Sequence, residues 1–149
     1  MFTDEQKAHF ETFGYVAMRQ CYSPAEIEAL DCAYQSIMAE HLNKPERVEI
    51  WPCVIDFVLE HPQLANIFMG DDRMLNAVET VLGPDFVWYG ATLHLFGGDS
   101  RWHADQAEYD LSSIKAMIYL EPLRRDSGCL RVIPGSHRPH LHERGLSGF

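Results

Sequence analysis

Arg101-Trp102-His103-Ala104-Asp105 is the stretch on which the reading of this chain turns. It follows an apolar, β-prone run over 87–96 that is rich in Val, Trp, Tyr, Leu and Phe. His103 and Asp105 lie two residues apart. An extended chain therefore points both side chains to one face, whereas a helix would set them about 200° apart. An imidazole and a carboxylate converging from one extended segment are two donors of the 2-His-1-carboxylate facial triad. That triad holds Fe(II) and leaves positions open for O₂ and a co-substrate. Alone, the pair reads more readily as a surface or capping pair. What surrounds it decides between the two.

Downstream come a second β-prone run (114–120), an Asp126-Ser127-Gly128 turn, a short strand (129–133) and Pro134-Gly135-Ser136-His137. Upstream are Phe10-Glu11-Thr12-Phe13-Gly14-Tyr15-Val16 and Ser23-Pro24-Ala25-Glu26-Ile27. In this order, Trp102-His103-Ala104-Asp105 and Ser127-Gly128-Cys129-Leu130-Arg131-Val132-Ile133-Pro134-Gly135-Ser136-His137 resemble the phytanoyl-CoA dioxygenase family. These are non-haem iron, 2-oxoglutarate-dependent oxygenases built on a double-stranded β-helix. The upstream stretch is similar to the family's N-terminal helix, strand and second helix, so the resemblance covers nearly the whole chain.

The resemblance implies an α+β fold, with N-terminal helices packed on a double-stranded β-helix of jelly-roll or cupin-like form. It implies a dioxygenase that uses Fe(II) and 2-oxoglutarate to hydroxylate a small organic or acyl substrate, releasing succinate and CO₂. His103 and Asp105 would be the metal ligands and the catalytic centre. Thr92 and Met117 fall by alignment where the family places residues beside 2-oxoglutarate, although both also read as barrel lining. Ala104 stands where the family often has Gln, which removes one polar contact. Asp105 is retained where the family's halogenases carry a small residue, so hydroxylation is favoured over halogenation. His137 belongs to a tight structural turn and is not the family's third ligand.

The family's distal ligand histidine and its 2-oxoglutarate-binding arginine lie well beyond the Pro-Gly-Ser-His turn. The sequence ends at Phe149 before either, so the β-helix is expected to be incomplete at its C-terminus. A truncated, non-catalytic binding or assembly module is the alternative reading. A zinc hydrolase using His103, Asp105 and one of His94, His140 or His142 is a third.

At 149 residues the chain reads as one domain, large enough to bury roughly 68–70% of its unfolded surface. Residues 1–84 form a mainly helical buttress, 85–137 the core strands and 138–149 a polar tail. Twelve basic residues against 22 acidic ones give a net charge of −10, which argues against nucleic acid or an anionic membrane as partner. Cys21, Cys32, Cys53 and Cys129 form no C-x-x-C pair, as expected of reduced thiols in a cytoplasm. No signal peptide and no run of about 18 apolar residues is present. A soluble, cytoplasmic protein with a small-molecule substrate is expected, with a homo-oligomer left open.

Along the chain, Thr3 with Gln6 reads as a capping box opening a helix that Gly14 ends. A strand over 15–18 follows. Ser23-Pro24-Ala25-Glu26 opens a second helix, with Ile27, Leu30, Tyr34, Ile37, Met38 and His41 on one stripe, stopping by Asn43-Lys44-Pro45. His41 reads as a core or boundary residue. Over 46–61 the spacing of Trp51, Val54, Ile55, Val58 and Leu59 fits a helical face, with Pro52 in its first turn. Pro62 opens a short helix ended by Gly70. Asp71 or Asp72 caps another that carries Leu75, Val78, Val81 and Leu82 to Gly83. In 87–96, Trp88, Gly90, Thr92, His94 and Phe96 share one face; Val87, Tyr89, Ala91, Leu93 and Leu95 share the other, before a Gly97-Gly98-Asp99-Ser100 turn. In the next run Ser113, Lys115, Met117 and Tyr119 oppose Ile114, Ala116, Ile118 and Leu120.

Overall fold

Helix α1 (Asp4–Phe13) starts on a reciprocal cap: Gln6 N donates to Thr3 Oγ1 at 3.2 Å, and Thr3 N donates to Gln6 Oε1 at 2.9 Å. The computed structural model describes residues 2–43, 53–96, 100, 102–103, 105 and 112–138. The last turn of α1 holds no basic residue. Its carbonyls are met instead from the far end of the chain. Gly14, at φ 79°, donates to Phe10 O, and Gly135 N donates to Phe13 O at 2.8 Å. Arg138 Nη2 donates to Thr12 O at 3.2 Å and His137 Nε2 to Glu11 O at 3.3 Å. A Cβ on Gly14 would overlap the His137 ring, so the turn at 134–137 docks on α1 only because residue 14 is glycine. That turn is structural, as expected.

Helix α2 (Pro24–Leu42) has the capping box read from the sequence, with Ser23 N to Glu26 Oε2 at 2.7 Å, and ends on Asn43. It buries Leu30, Ile37, Met38 and His41. The helical face that the spacing fits over 46–61 is not continuous among the described residues 53–61. Strand β1 (Cys53–Ile55) replaces it, with Val54 buried and Ile55 72% exposed, followed by α3 (Phe57–Glu60). Asp56 between them takes a left-handed φ of 51°, which breaks the helical register. Helix α4 (Pro62–Met69) and helix α5 (Asp72–Leu82) then run as anticipated. Asp71 is the cap of α5, accepting from Arg73 N at 2.8 Å.

Strand β2 (Thr92–His94) pairs antiparallel with β1, in the register Cys53↔His94, Val54↔Leu93 and Ile55↔Thr92. Among the described residues these two strands are the whole sheet. The strands anticipated over 15–18, 114–120 and 129–133, and the outer parts of 87–96, carry no ladder there. β propensity becomes a strand only where a neighbour meets the backbone hydrogen bonds, and the described residues supply one such neighbour. The observed architecture is mixed helix and small sheet, consistent with α+β. Lys44, Pro45, Trp51, Pro52, the Gly97-Gly98-Asp99 turn, Ala104, His140 and His142 lie outside the described residues.

The core is Ile37 and Met38 of α2, Val54 of β1 and Phe57 of α3, with Tyr34, Val58, Leu64, Ala91 and Leu93 packed around it. Tyr34 OH donates to His94 O at 3.2 Å, fastening α2 to β2. At the turn after β1, Asp56 Oδ1 accepts from Ala91 N at 3.4 Å. A Cβ at Gly90 would come within 2.7 Å of that oxygen, so a side chain there would displace the Asp56 carboxylate. No helix among the described residues is long and apolar enough to cross a membrane.

Arg73 links the starts of α2 and α5. Its Nη2 donates to Asp71 Oδ2 at 2.5 Å and to Glu26 Oε1 at 2.7 Å, its Nη1 to Cys21 O at 2.7 Å, and its guanidinium lies 4.4 Å from the Tyr22 ring centroid. These bonds hold the Glu26 and Asp71 carboxyls down at about 2, from ordinary values of 4.5 and 3.8. A carboxyl lowered on folding stabilises the fold above its unfolded value and ceases to as pH falls through its folded one. The clamp is therefore complete above about pH 5 and is lost as pH falls from 4.5 toward 2. Arg73→Met is expected to lower Tm by about 4 °C at pH 7 and to flatten the decline of Tm in that acid window. Scanning calorimetry across pH checks this; identical wild-type and variant pH profiles would contradict it.

Candidate functional site

His103, Asp105 and Lys115 come together near His94 of β2. Along the segment that carries Lys115, Ile114, Ile118 and Leu120 are half-buried, while Lys115, Met117 and Tyr119 are exposed. Ala116 is exposed as well, so the alternation of an extended chain with one face inward holds over 117–120. His103 Nε2 stands 3.3 Å from Asp105 Oδ1. Lys115 Nζ donates to Asp105 Oδ2 at 2.8 Å. The structure thus brings His103 and Asp105 together on one side, and adds Lys115.

An imidazole, a carboxylate and an ammonium meet here near β2. The Lys115 ammonium bonded to Asp105 is the largest influence holding that carboxyl below its ordinary 3.8, with His103 acting in the same direction. His94 is lowered from 6.5 chiefly by burial; Lys115 pushes it further down and Asp105 opposes. Its ring stacks on Phe96, with centroids 4.8 Å apart. From the segment before the Pro134 turn, Arg131 reaches over the Trp102 ring at 5.5 Å.

Thr92 is exposed on β2, two residues from His94 and so on the same face. Met117 is 38% exposed, and its sulfur accepts a long contact from Tyr119 OH at 3.9 Å. Neither hydrogen-bonds to the His103–Asp105 pair among the described residues. His137 is turned away onto α1, as above. A cavity of about 400 Å³ between α1, α5 and the Pro134 turn is lined by Lys7, Phe10, Glu11, Thr80, Val81 and His137, and holds no member of the pair.

The pair offers one imidazole nitrogen and one carboxylate oxygen. Their 3.3 Å separation is the span of two donors in adjacent positions around one small divalent ion, for bonds of ~2.1 Å. Both side chains are more than half exposed, at 60% and 56%, which leaves room for further ligands. Among the described residues no group of three or more His, Cys, Asp and Glu side chains forms a metal centre. The donor chemistry suits a divalent cation of intermediate hardness, and two donors are in place.

The chain from residue 10 to residue 149 matches the family model of phytanoyl-CoA dioxygenase (PhyH). The chain belongs to the phytanoyl-CoA dioxygenase family. Ectoine dioxygenase of Sphingopyxis alaskensis is 24% identical over 155 aligned positions, covering 91% of this chain and 50% of that protein. The chain thus spans about half the length of that relative. No solved structure is significantly similar to it.

Sequence reasoning passed over Lys115 as a member of the site. The available signal was a lone cation in the otherwise uncharged run 114–120, at an alternate position to Met117. His94 is expected to titrate below 6.5 and to be neutral at pH 7. Ring-proton NMR over pH 4–8 checks this; a midpoint above 6.5 would contradict the burial that lowers it.

Proposed function

We propose that this chain carries the iron-binding segment of an Fe(II)- and 2-oxoglutarate-dependent dioxygenase that hydroxylates a small organic or acyl substrate. The observation that supports the reading most strongly is the convergence of His103 Nε2 and Asp105 Oδ1 at 3.3 Å, in a chain matched by the family over residues 10–149. His103 and Asp105 hold the metal. When bound, ferrous iron with 2-oxoglutarate supplies the oxidation by O₂ that yields succinate, CO₂ and a hydroxylated product. The chain's own part is geometric and electrostatic. Tyr34 and the β1–β2 ladder fix the backbone of His94, and the segment carrying Lys115 and Met117 closes one side. Thr92 and Met117 flank the co-substrate. The fold completed around this site is the family's double-stranded β-helix, working in the cytoplasm.

Substrate class follows from the relatives only as a starting point. Ectoine and an acyl-CoA thioester are the first two compounds to assay. The readout is succinate formed per 2-oxoglutarate under Fe(II) and O₂. Activity is expected to fall at least about a hundredfold in both His103→Ala and Asp105→Ala, with unchanged Tm. Turnover retained in either variant would refute the assignment of the ligands.

A second reading is a binding or assembly module on the same scaffold. Its support is the apolar surface around the sheet: Ile55 at 72%, Leu59 at 79%, Val87 at 88% and Tyr89 at 95% exposed. A purified protein that is a metal-free dimer, with no succinate release, would favour it.

A further inference from the structure

We propose that Lys115 is a built-in counter-cation of the His103–Asp105 pair: its ammonium holds Asp105 in place of a divalent metal ion and is displaced when one binds. The inference rests on the reading of the pair as metal ligands and adds to it a residue that sets how tightly the metal is held.

The geometry carries the argument. An ionised carboxylate only accepts, and it has two oxygens. Here Oδ1 faces His103 Nε2 at 3.3 Å and Oδ2 takes Lys115 Nζ at 2.8 Å. A metal ion on Oδ1 and the Lys115 ammonium on Oδ2 would share one carboxylate, and two cations so close repel each other. Lys115 lies along the chain between Ile114 and Ile118, which are half-buried. Its side chain is 58% exposed on a flexible four-carbon stem. An ion pair this open to water is weak and screened, so it yields to a doubly charged ion that also gains the His103 nitrogen. While the metal is absent, the lysine occupies Oδ2 of Asp105.

A purely structural role for the ion pair predicts the opposite outcome. If Lys115 served only to position Asp105, its removal would loosen the carboxylate and weaken metal binding. As a competitor, its removal strengthens binding. Arginine, whose fork grips a carboxylate through two parallel bonds, would weaken it.

The test is Mn(II) binding to the full chain by titration calorimetry, with Mn(II) as a redox-stable probe. Wild type, Lys115→Met, Lys115→Gln, Lys115→Arg and His103→Ala are compared. The expected order is Lys115→Met and Lys115→Gln tighter than wild type by about tenfold, with Lys115→Arg weaker. His103→Ala should be weaker by at least about tenfold. If His103→Ala leaves Mn(II) affinity unchanged, the pair is not the metal site and the proposal falls with that reading. If His103→Ala weakens binding while both neutral Lys115 variants bind no tighter than wild type, the pair stands and the role of Lys115 alone is overturned. The use of two neutral variants guards against one of them failing to fold.

Discussion

A three-residue antiparallel ladder, Cys53–Ile55 against Thr92–His94, is the constraint from which the rest of the described structure follows. Two strands this short are marginal by themselves. They persist because Val54 and Leu93 face α2 and α3 and complete a core of Ile37, Met38 and Phe57. The same pairing fixes the opposite face of β2. Thr92 and His94 are thereby set on the side where His103, Asp105 and Lys115 gather. Tyr34, bonding to the carbonyl of His94, ties that face to the longest helix. Site and core are two sides of one strand.

The candidate site is an arrangement of charge with little burial. Asp105 lies between an imidazole and an ammonium, and each stabilises its ionised form. His94, partly buried and close to the same ammonium, is kept toward the neutral form. An ionised carboxylate and a neutral imidazole are the protonation states in which such groups donate to a metal. The exposure of the pair means that solvent and ligands reach it freely, and that salt screens its interactions.

Local chemistry made the helices legible and left the strands obscure. Thr3 with Gln6, Ser23 with Glu26, and Asp71 with Arg73 state where helices start because a cap needs only residues two or three positions apart. Gly14 and Gly70 state where they end. Strand pairing depends on a partner far away in the chain. Val54, Ile55, Val58 and Leu59 fit a helical stripe as well as a strand followed by a helix, and the left-handed Asp56 that separates the two leaves no mark in the hydrophobic pattern. For the site, the sequence singled out His103 and Asp105 as a pair, and their side chains lie 3.3 Å apart, although neither stands in a strand among the described residues. The engagement of Asp105 by Lys115 depends on how two segments lie beside each other, which no spacing along the chain encodes. The clamp of Arg73 on Glu26 was hidden for the same reason, being a contact between residues 47 positions apart.

The proposed chemistry needs a divalent ion held between the His103 nitrogen and the Asp105 carboxylate. The most direct measurement is paramagnetic broadening of assigned side-chain NMR signals on adding sub-stoichiometric Mn(II). The account predicts selective loss of the His103 ring and Asp105 carboxyl resonances first, with His137 and the α1 residues around it unaffected. Broadening centred elsewhere, or none at millimolar Mn(II), would contradict it.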